Sequence, residues 1–357
     1  MKKPLNCKIF AYGSSPFLSQ LYTGFSILAK NREINLVQKL NNYRYQNKKP
    51  ISIVKPNKFK GLFVMINEEK LIFYDTKDDP RLDSQALNIV DAYFKRSYLA
   101  SAIPENYKSK VFPLGLHYKL YTGKPDRYDL IRLLKQFKSV GYVARHFGRH
   151  CGLSYKPTPS KMSSAPNKNQ EPRVIFSTHA WNPDKNPPGL SAKSKEERIQ
   201  INETRAQVIR LLRKNLGKRF YGGFRPDRYA VSNFKDILLK NDHSWLQKNY
   251  IPLLRQYPIC IATTGLSGSI GWKLGEYVAL SKAIVSEKLN YLVPGGFSKN
   301  INYLEFDKPE SCLQETIKLI ENRDLRLKIM NNNWKYYKKY LAPDVLIMRT
   351  LRIAMEI

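Results

Sequence analysis

Two doubly wound α/β domains in tandem are the architecture this sequence predicts, and three observations predict it. Short apolar runs of buried-strand type alternate with amphipathic helical patterns, the alternation stops and restarts around a polar stretch at 153–172, and 357 residues suit two cores better than one. In the first half, residues 8–12 read as a strand and Gly13-Ser14-Ser15-Pro16 as a loop. Residues 17–30 then read as a helix with Leu18, Leu21, Phe25 and Leu28 on one face, and 34–37 as the next strand. Residues 61–66 and 71–74 follow as strands, the second running into the acidic cluster of Asp75, Asp78 and Asp79. Residues 110–112 form a shorter strand that leads to Gly115 and His117. Strands separated by helices favour parallel pairing with both sheet faces covered. This first domain is expected to span 1–152.

Residues 153–172 carry Pro157, Pro159, Pro166 and Pro172 in polar company with little to bury, the composition of a flexible linker or loop. Alternation then restarts. Residues 173–177 read as a strand, 178–189 as a loop holding Thr178, His179 and Trp181, 195–216 as a long helix, and 219–221 as a strand closed by Gly222-Gly223. The second domain is expected to span 173–341. Beyond it, 342–357 carries Val345, Leu346, Met348, Leu351 and Ile353, an amphipathic helix that needs a surface to pack on.

Composition narrows the function classes. With 42% apolar residues, 23 Tyr, 16 Phe and 4 Trp, the chain has the material for a packed core. Cys7, Cys151, Cys260 and Cys312 stand far apart with no CxxC, so neither a zinc site nor a disulfide framework is expected, and reduced thiols of a cytoplasmic protein are the simplest reading. The basic start at Lys2 and Lys3 has no apolar stretch of signal-peptide type behind it, and nowhere do about 18 apolar residues run together as a membrane span requires. The net charge of +32 is spread evenly, with 30 Lys/Arg against 12 Asp/Glu in 1–171 and 31 against 17 in the remainder. That excludes a basic tail and calls for an anionic partner. Nucleic acid is one such partner, although zinc-finger spacing, an RNP-type strand and a zipper-backed basic helix are all missing from the sequence. A phosphorylated substrate handled near an anionic membrane is the other.

Residues 265–287 carry the densest chemistry. Ile259, Cys260, Ile261 and Ala262 form a strand before them, and Ala283, Ile284 and Val285 another at their end. Between lie a loop containing Gly265, Gly268, Ser269 and Gly271 and a helical pattern in which Ile270, Leu274 and Val278 share a face. At a strand–loop–helix junction, loop amides and the helix N-terminus present N–H groups and partial positive charge, which favours a phosphate. Lys273 and Glu276 are three apart in the first turns and can face the same ligand. Lys273 suits phosphate charge, and the Glu276 carboxylate suits two ribose hydroxyls.

Two Rossmann-like domains, a nucleotide motif in the second and a helix to spare resemble the glycosyltransferases of the GT-B fold. The sequence is most similar to the bacterial family-1-type, or group 1, transferases over about 173–340. A basic residue, a Glu heading a helix, a short strand and a Ser recur there and read here as Lys273, Glu276 and Ser286. The later turn and strand are matched by Val293-Pro294-Gly295 and Asn302 to Phe306, followed by helices begun by Pro309 and Asp324. The resemblance implies two domains facing each other across a cleft, and an enzyme that moves a hexose or related sugar. The donor would be a nucleotide-sugar substrate, and the acceptor a glycan, a lipid-linked intermediate or a cell-surface polymer precursor. It implies no cofactor and a cytoplasmic location, peripheral at the membrane. Many retaining members place a Glu eight positions before the ribose-binding one, where this chain has Gly268. No Asp-x-Asp is present, so transfer is expected to need no metal, with loop amides, Lys and Arg stabilising the leaving diphosphate.

Other residues fill in the expected site. Thr178, His179 and Trp181 would contact the diphosphate or base, or anchor the loop to the sheet. His117 would serve as general base or hold the donor sugar, since a histidine titrates near neutrality, and Asp75 is the second acid/base candidate. Gly13 and Ser14 resemble the first-domain loop that approaches the acceptor, and also read simply as a helix N-cap. Tyr336, Tyr337 and Tyr340 interleave with Lys335, Lys338 and Lys339 in a pattern suited to an anionic bilayer, as do Lys48, Lys49, Lys55, Lys58 and Lys60. The alternatives are a basic nucleic-acid-binding protein on the same scaffold, and a non-catalytic glycan-binding protein.

Overall fold

The computed structural model describes residues 4–10, 16–39, 43–46, 49–52, 61–122, 157–184, 191–240 and 246–357. The chain divides into two compact units, both Rossmann-like. The first comprises Met1–Lys161, Tyr291–Gly295 and Lys338–Ile357, and the second Met162–Asn290 and Gly296–Tyr337.

The strands of the first unit are β1 (Leu5–Phe10), β2 (Ile34–Lys39), β3 (Tyr43–Gln46), β4 (Lys49–Ser52), β5 (Gly61–Ile66), β6 (Lys70–Asp75), β7 (Ala92–Lys95) and β8 (Val111–Pro113). Six of them form one sheet in the order β2-β1-β5-β6-β7-β8, while β3 and β4 pair separately. The sheet is mixed rather than wholly parallel, because β5 runs antiparallel to both β1 and β6. Only residues 67–69 separate β5 from β6, too few for a crossover helix. Asn67 and Glu68 both take positive φ (51° and 60°), and Glu69 N donates to Ile66 O at 2.9 Å. That is a two-residue primed turn, whose twist matches a hairpin.

Side chains alternate across this sheet as a pleat requires. Ile9, Val64, Ile72, Tyr74 and Phe94 enter one cluster with Phe25, Leu28, Leu346, Ile347 and Leu351. Phe10, Phe63, Met65, Leu71, Phe73 and Tyr93 enter the opposite one, with Ala86 and Leu87 of the helix Ser84–Ile89. The segment 342–357 thus finds its surface in the first unit. Its helix Pro343–Glu356 lies against Ser19–Lys30, and Thr350 Oγ1 hydrogen-bonds Tyr74 OH at 2.6 Å. Gly24 makes the close approach possible, because a Cβ there would lie 2.2 Å from Pro343 O.

The second unit holds β9 (Val174–Thr178), β10 (Phe220–Phe224), β11 (Ile259–Ala262), β12 (Ala283–Glu287) and β13 (Leu304–Phe306) in the order β10-β9-β11-β12-β13, all parallel. Helix Ala192–Leu216, N-capped by Ser191, packs Ala206, Val208, Ile209 and Leu212 into the core shared with Val174, Phe176, Ile259, Ile261 and Val285. Gly222 and Gly223 do not close β10 as expected but lie inside it. A Cβ on Gly222 would meet the Phe220 ring at 2.2 Å, and one on Gly223 the Ile237 carbonyl at 2.5 Å, so these glycines serve close packing rather than a turn.

The described part of the expected linker is tied down instead of free. Met162 is fully buried, Ser164 N donates to Ala279 O at 3.1 Å, and Gln170 Nε2 donates to Arg255 O. Ser281 Oγ returns a bond to Ser164 O at 2.5 Å. One apolar anchor and paired backbone groups outweigh the polar composition that read as a linker.

Candidate functional site

In the five-stranded sheet, β9 leads to β10 on one side while β11, β12 and β13 extend to the other. The carboxyl ends of β9 and β11 therefore flank the point where strand order reverses, the place where open α/β sheets hold ligands. Thr178 ends β9 and is followed by His179, Ala180 and Trp181. Thr263, Thr264 and the loop 265–271 follow β11 and feed the helix Trp272–Ala279. Gly265, Gly268, Ser269, Gly271, Lys273 and Glu276 from one segment and Thr178, His179 and Trp181 from the other are thus gathered at one end of one sheet.

The loop is a tight turn held by its own backbone. Gly265 N donates to Ser269 O at 2.8 Å, and Ser269 N to Leu266 O at 3.2 Å, closing a tight turn. Ser267 and Gly268 sit in the left-handed region at φ 59° and 62°. Gly271 N-caps the helix with no side-chain cap and has open space where a Cβ would stand. Two carboxylates meet other loop donors: Glu197 accepts from Ser267 N at 2.6 Å, and Glu287 accepts from Thr264 N and Oγ1 at 2.6 and 2.7 Å. These carboxylates occupy the Thr264 and Ser267 donors, so an anionic ligand would be met by the helix N-terminus that Gly271 caps. Gly268→Ala forces an L side chain into the left-handed region, and its Cβ also crowds Asn290 Nδ2 at 2.5 Å. We expect the urea midpoint to fall by the equivalent of about 1 to 2 kcal/mol.

Cations converge on this end. Arg205, 5% exposed, projects from the helix Ala192–Leu216, and its Nε, Nη1 and Nη2 donate to Thr263 Oγ1 (3.0 Å), His179 O (2.9 Å) and Thr264 O (3.0 Å). Burial pushes its guanidinium down to about 10. Lys273 is half-buried, its Nζ 4.0 Å from the centre of the Tyr250 ring. Burial holds its amine at about 8, with the Glu276 carboxylate pulling it up and Arg225 and Arg205 pushing it down. Glu276 itself is 7% exposed. His179 is held near 3, first by burial and then by Arg205, Arg225 and Lys273, so its imidazole is neutral at physiological pH. Its ring meets Trp181 edge-on at 4.5 Å, and the Arg198 guanidinium lies 6.0 Å over the Trp181 ring.

Sequence reasoning missed Arg205, Arg225 and Asn202. Asn202 is 1% exposed and holds the Trp181 backbone. A signal was present: Asn202, Arg205, Ile209 and Leu212 fall on one helical face, and two polar groups on an otherwise apolar stripe need partners.

The candidates of the first unit fare differently. Asp75 is fully buried; its Oδ2 accepts from Tyr93 OH and from Lys95 Nζ at 3.0 Å, and its Oδ1 from Lys77 N at 2.9 Å. With Lys95 only 1% exposed, this is an interior ion pair rather than an acid or base facing solvent. His117, 3% exposed, does not titrate near neutrality. Burial, then the charge of Arg96, holds it at about 3, which removes the driving force for accepting a proton at pH 7. Gly13 and Ser14 lie outside the described residues, as do Cys151 and the lysines at 48, 55, 58 and 60. Cys7, Cys260 and Cys312 are buried free thiols.

The aromatic and lysine pattern at 335–340 is not a belt of exposed rings. Tyr336 and Tyr337 are buried, against Phe297 and Trp334, while Lys335, Lys338 and Lys339 point outward. The helical period separates what the sequence interleaves. Among the described residues, no helix is long and apolar enough to cross a membrane, and no cluster of three His, Cys, Asp or Glu could hold a metal ion.

No protein-family model matches the chain, and no curated protein matches it. Solved structures do. The chain is similar to the C-terminal domain of a glycosyl transferase group 1 family protein (LpcC) from Francisella tularensis, with 16% identity, 51% of this chain and 96% of that one covered, and a TM-score of 0.32. It is similar to a glycosyltransferase from Rickettsia africae, with 12% identity, 97% and 83% coverage, and a TM-score of 0.42. It is also similar to HepE of Anabaena in complex with UDP-glucose, with 9% identity, 98% and 100% coverage, and a TM-score of 0.37.

Proposed function

We propose that the carboxyl end of the five-stranded sheet binds the diphosphate of a nucleotide-sugar and that the protein is a glycosyltransferase. The observation that carries this reading is the convergence of Arg205, Arg225 and Lys273 at the strand-order reversal, beside the N-terminus of the helix that carries Glu276. A diphosphate meets cations and a helix N-terminus there, and a ribose meets a carboxylate. Charge that develops on the leaving nucleoside diphosphate would be stabilised by groups already oriented for it, so a divalent ion is not required. Activity that survives a chelator would bear that out. A net charge of +32 suits an acceptor that is itself anionic, such as a lipid-diphosphate-linked glycan or an acidic polymer precursor.

The test is titration calorimetry with UDP, GDP and ADP. Glu276→Gln and Lys273→Met are each expected to lose about 1.5 to 3 kcal/mol of affinity for the preferred nucleoside diphosphate. Lys273→Met should leave affinity for the nucleoside alone nearly unchanged. Because the Lys273 amine sits at about 8, affinity should decline as pH rises through 8 and the ammonium is lost, a decline that Lys273→Met should not show. Wild-type protein that binds none of the three, or variants that bind as well as wild type, would remove the assignment.

A further inference from the structure

Asn202 and Arg205 lie one turn apart on the helix Ala192–Leu216, and between them they hold both chain segments that border the strand-order reversal. Asn202 Oδ1 accepts from Trp181 N at 2.7 Å, and its Nδ2 donates to Trp181 O at 2.7 Å, so one side chain grips that backbone in both directions. Arg205 spreads its three nitrogens over His179 O, Thr263 Oγ1 and Thr264 O, with no carboxylate among its hydrogen-bond partners in the described residues. The ladder between β9 and β11 covers only Val174 with Ile259 and Ile175 with Cys260. Beyond Ile175 and Cys260 the strands part, and the guanidinium spans the gap. Both side chains are nearly inaccessible to solvent, and placing a polar amide and a charged fork on a core-facing stripe is expensive unless the groups are fully used.

We propose that Asn202 and Arg205 are positioning residues that set the width of the gap between the two segments and keep His179, Trp181 and Thr264 in register for a diphosphate. The proposal rests on the donor-site reading above. Arg205 suits the task where lysine would not, because a planar fork reaches three acceptors in fixed directions while an ammonium is a single point. Its charge then stands beneath the site at no further conformational cost. Of the two bordering segments Asn202 holds only 178–184, with a further side-chain hydrogen bond to Tyr229 outside both, whereas Arg205 holds both, and this asymmetry makes the two roles separable.

Hydrogen exchange and calorimetry on the whole chain test it, with Arg205→Lys and Asn202→Ala. Arg205→Lys keeps the positive charge but not the fork. We expect amide exchange to quicken about tenfold in both 178–184 and 263–271, with β12 unchanged. The affinity of UDP, GDP or ADP, whichever wild type prefers, should fall about tenfold per folded molecule. Asn202→Ala should loosen 178–184, and the neighbourhood of Tyr229 that it also bonds, while 263–271 keeps its wild-type exchange. Wild-type exchange in either segment of Arg205→Lys, or undiminished affinity in that variant, would overturn the proposal. If Arg205→Lys does not fold, Asn202→Ala decides by the same criterion: loosening of 178–184 with 263–271 unchanged sustains the proposal, and unchanged exchange in 178–184 overturns it. Wild-type protein that binds none of the three nucleotides would defeat the donor-site reading, while the exchange data would still judge the clamp.

Discussion

Asp75→Ala will destabilise the protein by about 3 to 5 kcal/mol, because it strands the Lys95 ammonium in the interior with the one anionic hydrogen-bond partner it has among the described residues gone. The pair is 0% and 1% exposed, so water cannot replace the lost carboxylate without opening the sheet between β6 and β7. Tyr93 OH and Lys77 N lose an acceptor in the same substitution. The Lys95 amine is already lowered by burial, with Asp75 raising it back in part. Removing Asp75 therefore lowers it further below its unfolded value. An unfolded state that binds more protons than the folded one means that stability rises with pH, so the variant's deficit should be larger at pH 6 than at pH 9. Urea unfolding at both pH values measures this. A double variant, Asp75→Leu with Lys95→Met, should recover most of the loss. An Asp75→Ala protein as stable as wild type would return Asp75 to the list of reactive groups.

Gly24→Val is expected to have the next largest effect. A Cβ at position 24 would stand 2.2 Å from Pro343 O and 2.6 Å from Ile347 Cγ1, and backbone cannot yield as a flexible side chain can. Valine adds two methyl groups to that clash. The helix Pro343–Glu356 must lift from Ser19–Lys30, which opens the cluster holding Phe25, Leu346, Ile347 and Leu351. Overpacking of this kind costs about 3 kcal/mol, read as a lower melting temperature. Quicker proteolysis near residue 342 should accompany it. Wild-type resistance to protease would show that the two helices are not held at the spacing described.

What the sequence made legible follows the range of each interaction. The segment 259–287 could be read as strand, loop, helix and strand because every signal lies within thirty residues: apolar runs, small residues and a helical stripe. Arg205 and Asn202 act on that segment from about sixty residues upstream. They announce themselves only as polar residues on a core-facing stripe, and no pattern in the sequence says which loops they reach. Gly222 and Gly223 were misleading because a glycine that ends a strand and one that admits a neighbouring ring look alike until the neighbour is placed. Asp75 and His117 were drawn as reactive groups because they follow strands. Burial, which pairs Asp75 with Lys95 in the interior and holds the His117 imidazole at about 3, belongs to the tertiary structure alone. The hairpin of β5 and β6 could have been read from its short connection, had the positive φ at Asn67 and Glu68 been foreseeable from those residue types.

The return of Pro343–Glu356 to the first unit reverses the order in which the two units can mature. Thr350 meets Tyr74 across 276 positions of sequence, whereas the second unit lies almost wholly within 162–337. A nascent chain elongating at about 5 to 20 residues per second needs on the order of 10 to 40 s to pass from residue 162 to the end of that helix. Through that interval Phe25 and Leu28 lack Leu346, Ile347 and Leu351, and the second unit, whose last residue is Tyr337, is complete in sequence before those partners have been made. The half of the protein made first is thus the half finished last, and it is the half for which a chaperone that recognises an uncovered apolar helix face would matter.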